Sequence, residues 1–332
     1  MAGISWTRDS LIESLVELAG FKAGLVLSRD ELKSNLPQYS DLLDGDPEEV
    51  IRTRAEDFHG LAQALLHALG AATTVEPVSA VDLYARYYPD RQKLDAHNAV
   101  FDIAWKRTKT QLLSGDDGPI DLRGLIAEAT AHHGALGGQV ATDLCDLANR
   151  AANESPWNRM RYVDWQDEIE LESLFKDANL STAYGTFLDQ SFIDYLSRNF
   201  GAIDKIHWRK FEGLAAEYFQ QEGAQVRLGP GSNDDGVDIR IWWPGDDVTR
   251  PATMLVQCKR EKAKVGRPVL KALYADICHE RAKSGLIVTT RALSPGAIQT
   301  TNARQYPIDA ADRTTLKTWI DKMRSEHVRA VK

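Results

Sequence analysis

Thr253-Met254-Leu255-Val256-Gln257-Cys258-Lys259 is the stretch whose reading decides how the second half of this chain folds. Its apolar composition suits a strand, and period-two alternation sets Met254, Val256 and Cys258 on one face and Leu255, Gln257 and Lys259 on the other. One strand therefore sends an amide and an amine in the same direction, two residues apart. Upstream, Val237 to Trp243 is a second β-rich run, separated from the first by the turn-forming Pro244-Gly245-Asp246-Asp247. Asp238 stands one residue into that run, directly after Asp234-Asp235-Gly236, where glycine lets the backbone bend tightly. Pairing of the two runs as a hairpin brings a carboxylate, an amide and an amine together near neighbouring strand ends.

Working outward, His207 to Glu222 predicts a helix, apolar at Phe211, Leu214, Ala215, Tyr218 and Phe219, and Ala224 to Leu228 a short strand behind it. Downstream, Pro268 opens a helix to Lys283, Gly285 to Thr290 is an apolar strand, and Ser294-Pro295 starts another helix. Pro307-Ile308-Asp309 adds a brief strand before a final helix from about Asp312. The order αβββαβαβα predicts an α/β sandwich with a mixed sheet.

The first 150 residues read differently. Apolar side chains recur at helical spacing in Leu11-Ile12-Leu15-Val16-Leu18, in Leu61-Ala64-Leu65-Ala68-Leu69 and in Leu122-Leu125-Ile126-Ala129. Glycine and proline break the series near Gly45-Asp46-Pro47, Tyr88-Pro89-Asp90 and Gly115 to Pro119, which predicts a bundle of short helices. The expected division is a mainly α-helical domain over 1–152, a connecting segment over 153–199 with a short helix Phe187 to Asn199, and an α/β domain over 200–332.

Charge divides along the same line. Residues 1–199 carry 18 Lys+Arg against 32 Asp+Glu, a net −14, while residues 200–332 carry 22 against 16, a net +6. A basic half joined to an acidic half suits a chain of which one part binds a polyanion. Lys259, Arg260, Lys262, Lys264, Arg267 and Lys271 fall close together and are either a solvated face or contacts to nucleic acid. Cys145, Cys258 and Cys278 are odd in number, widely spaced and without a C-x-x-C pair, so reduced thiols are expected and a zinc site or redox motif is not. The N-terminus lacks a basic segment followed by an apolar core, and no apolar run approaches the roughly 20 residues of a membrane helix. A cytoplasmic protein with no membrane partner is predicted.

A carboxylate, an amide oxygen and a backbone carbonyl, here that of Cys258, make a donor set suited to an oxygen-loving divalent cation. A neighbouring lysine can orient water and offset charge growing on a phosphoryl oxygen. Glu212, on the helix before the sheet, is a fourth candidate for the metal's shell. Spacing alone leaves a second reading open, in which Gln257 and Lys259 decorate an exposed sheet face and Asp238 caps a turn.

The series Phe211-Glu212, Asp235-Gly236-Val237-Asp238-Ile239, Val256-Gln257-Cys258-Lys259-Arg260, Gly285-Leu286-Ile287-Val288-Thr289-Thr290 and Leu293-Ser294-Pro295-Gly296-Ala297 resembles the Mrr-like restriction endonucleases. These are a branch of the PD-(D/E)xK nucleases in which glutamine replaces the second acidic residue, and the resemblance covers about residues 205–325. It implies the restriction-endonuclease fold and Mg²⁺- or Mn²⁺-dependent hydrolysis of DNA. It also implies catalytic roles for Asp238, Gln257 and Lys259, with Glu212 in the family's helix position; Asp235 falls at a frequently acidic position and is not expected to be a ligand. The expected protein is a homo-oligomeric endonuclease of restriction or phage-defence type, with a defence-system protein as a further partner. In it, the acidic N-terminal part supplies target choice, oligomerisation or control by a partner, and its charge is expected to cover the basic groove until displaced. Rival expectations are a nucleic-acid-binding subunit whose nuclease fold is inactive or partner-activated, because Gln257 gives the cation one charge less than a carboxylate, and an RNA nuclease.

Overall fold

The computed structural model describes residues 3–115, 121–158, 165–231, 236–261 and 263–330; Asp235 and Lys262 lie outside the described residues. Five strands, β1 (Gln225–Leu228), β2 (Ile239–Trp242), β3 (Met254–Lys259), β4 (Ser284–Thr289) and β5 (Ile308–Ala311), lie side by side in chain order. β1, β2 and β3 are antiparallel to one another in turn, whereas β3, β4 and β5 run parallel. The sheet is therefore mixed. Antiparallel neighbours need only hairpin loops, but each parallel step needs a crossover. Helices α2 (Arg267–Glu280) and α3 (Pro295–Arg304) make those two crossovers, between α1 (Trp208–Gln221) at the start and α4 (Arg313–Ala330) at the end.

Burial explains the sequence of each strand. β4, Ser-Gly-Leu-Ile-Val-Thr, is covered along nearly its whole length and is accordingly a continuous apolar run rather than an alternating one. Leu255 and Ile287 pack with Leu270, Leu273 and Ile277 of α2 in one core. Gly285 lets α2 lie close to β4, since a Cβ there would stand 2.6 Å from Ile277 Cδ1. α1 buries Phe211, Leu214, Ala215 and Phe219 and packs over β1, β2 and β3. Ser294 caps α3, its hydroxyl accepting from Ala297 N at 3.2 Å.

The expected division at residues 152 and 199 is corrected. Among the described residues, those within 3–53, 65–73 and 162–332 form one compact unit, and those within 54–64 and 74–161 form the other. The reason is apolar burial that helical periodicity alone does not assign to a partner. The helix Arg8–Ala23 buries Leu11, Ile12, Leu15 and Leu18. Residues Leu25–Val26 pair in parallel with Ile169–Glu170, with Ile169 N donating to Gly24 O and Leu171 N to Val26 O, both at 3.0 Å. The segment expected to be a connector contributes buried Leu171, Leu174, Leu188, Phe192, Ile193 and Leu196, and its helix Gln190–Arg198 packs on α4.

The N-terminal region is largely helical, with two short strands that the helical reading missed, Gly3–Thr7 beside Val50–Arg54. The second unit holds helices Ala80–Tyr87, Arg91–Ser114 and Leu122–Glu154 around Leu83, Tyr87, Val100, Leu125, Ala129 and Val140. Among the described residues no helix is long and apolar enough to cross a membrane.

Candidate active site

The β2–β3 register pairs Ile239 with Val256 and Arg240 with Leu255, so one further step sets Asp238 opposite Gln257. Opposed residues of antiparallel strands share a face. Asp238 and Gln257 are thus neighbours, and Lys259 follows two residues on along the same side of β3. The backbone bears this out: Asp238 N donates to Val256 O at 3.0 Å, and Asp238 Oδ2 accepts from Cys258 N at 2.6 Å. Three residues from two strands meet where β3 ends.

Burial makes the polarity of this place expensive unless something answers it. Asp238 is 8% exposed and Gln257 5%, while Lys259 is half-buried. Gln257 Oε1 is buried and, among the described residues, accepts no hydrogen bond. An amide oxygen left so costs on the order of 1–3 kcal/mol. Beside a carboxylate and the carbonyl of Cys258, it fits a hard divalent cation, which takes such neutral oxygen donors readily. Gly236 holds the amide from below: its φ is +91°, and a Cβ on it would come within 3.1 Å of Gln257 Nε2.

The Cys258 thiol is pushed well above its ordinary value by burial, and further by the negative charges of Asp238 and Glu212. It stays a neutral thiol, so only its backbone oxygen is a reasonable donor. Glu212 stands on α1, 6% exposed, with Oε2 2.7 Å from Arg209 Nη1. Arg209 Nη2 donates in turn to Gly229 O at 2.7 Å, tying the loop that leads to Asp238 back onto α1. Arg209 is the residue that sequence reasoning missed; its i, i+3 spacing from Glu212 was the available signal. Among the described residues there is no group of three or more His, Cys, Asp or Glu side chains set to hold a metal.

The basic residues separate into two kinds. Lys264, Arg267 and Lys271 are exposed, with Arg267 Nε donating to Gly296 O at 2.9 Å. Arg260 is half-buried, and its Nη1 donates to Asp204 O at 2.8 Å. His207 caps α1, its Nδ1 accepting from Arg209 N at 3.2 Å, and its pKa is lowered by burial and by the nearby charge of Arg260.

Comparison with known proteins bears on the same region. The model of the restriction endonuclease family, in its Mrr form, matches residues 203–320. "Uncharacterized protein y4cE" of Sinorhizobium fredii (strain NBRC 101917 / NGR234) is 21% identical over 258 residues, which is 74% of this chain and 59% of that protein. This chain therefore spans less than two thirds of that relative's length. Among solved structures, the MspJI restriction endonuclease in complex with a 27-mer oligonucleotide aligns at 20% identity and a TM-score of 0.29, over 53% of this chain and 41% of that one. A strand order, a strand-end polar cluster and a family match coincide over one stretch, and residues 203–320 accordingly match a restriction endonuclease domain of the Mrr type.

Proposed function

We propose that this protein is a metal-dependent DNA endonuclease of restriction type, acting in the cytoplasm against foreign DNA, with Asp238, Gln257 and Lys259 as its catalytic residues. The observation that carries the proposal is the buried, unpartnered Gln257 Oε1 placed opposite Asp238 inside a domain of this family. Asp238, the Gln257 amide oxygen and the Cys258 carbonyl would hold Mg²⁺ or Mn²⁺, with Glu212 close enough to add its field at Cys258. A bound divalent cation supplies Lewis acidity at the phosphoryl group and lowers the pKa of water. Lys259 orients the attacking water and offsets charge that grows on the phosphoryl oxygens. Exposed Lys264, Arg267 and Lys271 hold the duplex by its phosphates.

Plasmid cleavage in Mg²⁺ and in EDTA tests this reading. Nicking or linearisation is expected in Mg²⁺ only. Asp238→Ala and Lys259→Ala should each reduce the rate by roughly 10²-fold or more. Cleavage that persists in both variants would sink the assignment of the site.

A further inference from the structure

Just beyond the site, three arginines gather around one aspartate. Lys259 and Thr289 are register partners at the ends of β3 and β4, so the residues that follow, Arg260 on one side and Thr290-Arg291 on the other, lie past the same edge of the sheet. Asp204 stands among them. Its backbone oxygen accepts from Arg260 Nη1 at 2.8 Å, its Oδ2 from Arg313 Nη1 at 2.7 Å, and its Oδ1 lies 3.9 Å from Arg291 Nη2. The guanidinium of Arg313 is also stacked against the Phe200 ring, 5.0 Å from its centroid.

One carboxylate does not satisfy three guanidinium groups. The contact of Arg291 with Asp204 is too long for a hydrogen bond, and Arg291 Nε has no hydrogen-bond partner among the described residues. Among the described residues Arg260 Nε and the hydroxyl of Thr290, a residue 1% exposed, are likewise buried without a hydrogen-bond partner, and Asp204 Oδ1 meets only Arg291 at that long distance. Such a concentration of unanswered polar atoms calls for an ion or water from outside the chain. The net charge of the cluster, three guanidinium groups against one carboxylate, selects an anion. Arg291 and Arg313 remain 40% and 36% exposed, so that anion can arrive from solvent.

We propose that Arg291 and Arg313, held around Asp204 beside Arg260, form a binding site for a backbone phosphate of the DNA, next to the cleavage centre and separate from the cation. The guanidinium fork matches phosphate oxygens in pairs, which a lysine cannot do. Asp204 fixes Arg313 in place before DNA arrives, so little freedom is lost on binding. This site rests on the DNA-nuclease reading above and adds residues that reading does not contain.

The test is binding of a fluorescent duplex to the full chain in EDTA, with anisotropy followed across a range of salt. Each lost phosphate contact should lower the slope of log affinity against log salt by about one. Arg291→Gln removes no hydrogen bond of the folded protein and should weaken binding roughly tenfold with that loss of slope. Arg313→Gln should do the same. Arg250→Gln, 80% exposed in the β2–β3 turn at the far end of β3, should leave the slope unchanged. A wild-type slope in Arg291→Gln, or an equal loss in Arg250→Gln, overturns the site while leaving the nuclease reading standing. Failure of the wild-type chain to bind duplex at any salt overturns both.

Discussion

At Gly236 the missing side chain is the functional feature. The residue adopts a backbone conformation that L side chains rarely take, and the space a Cβ would fill is that of the Gln257 amide. Gly236→Ala should therefore act twice, straining the turn by about 1–2 kcal/mol and pushing the amide off its position. Expected is a fall in cleavage rate of tenfold or more, with a urea midpoint showing only the modest loss of stability. A variant with full activity would mean that the amide's position is immaterial. The residues of the strand were legible beforehand, because alternation along β3 alone sends Gln257 and Lys259 the same way. Arg209 was not. A single arginine on a helix is ordinary, and only folding shows that it bridges Glu212 and Gly229.

Helix Gln190–Arg198 shows how an element's setting alters its chemistry. Asp194 is buried there, and burial raises its pKa from 3.8 to about 7; the Gln190 amide, which donates to it at 3.0 Å, and the charge of Arg324 work the other way, while Asp189 adds to the rise. The folded state therefore holds this proton more tightly than the unfolded chain does. Stability from Asp194 is complete below about pH 3.8 and drains away as pH climbs towards about 7, by up to about 4 kcal/mol in total. Asp194→Asn should flatten that dependence, read as urea unfolding at pH 5 and at pH 8. Equal slopes for variant and wild type would show that the carboxyl is charged throughout. At this scale the strands of the nuclease sheet were readable from composition and turn residues, to within a residue or two of their ends. The connector was misread because Leu171, Leu174 and Leu188 lack regular spacing, and their burial depends on partners far away in the chain.

Across the whole molecule, the acidic and basic halves of the sequence are not the two compact units. The N-terminal 53 residues carry 10 Asp+Glu against 5 Lys+Arg, yet they bury Leu11, Leu15, Leu25 and Leu32 within the unit that contains the nuclease sheet. Removing residues 1–150 should thus not release an active nuclease but yield an aggregating chain, visible by size-exclusion chromatography and by lost thermal cooperativity. Each of those leucines contributes on the order of 1.5–3 kcal/mol by burial, and together they are comparable to the whole margin of an ordinary domain. A soluble, cooperatively melting truncation would refute the packing. Charge was a poor guide to domain limits because it reports on surfaces, whereas the limits follow from which apolar faces cover each other.

The clasp between Leu25–Val26 and Ile169–Glu170 sets a schedule for the ribosome. The first half of the clasp emerges early, but its counterpart is translated more than a hundred residues later, a wait of roughly ten to thirty seconds at ordinary elongation rates. Through that interval the helix Arg8–Ala23 can pack only on its neighbours within the first 53 residues, and the edge of Leu25–Val26 stays unpaired. Slower codons over the intervening helices would lengthen that exposure rather than relieve it.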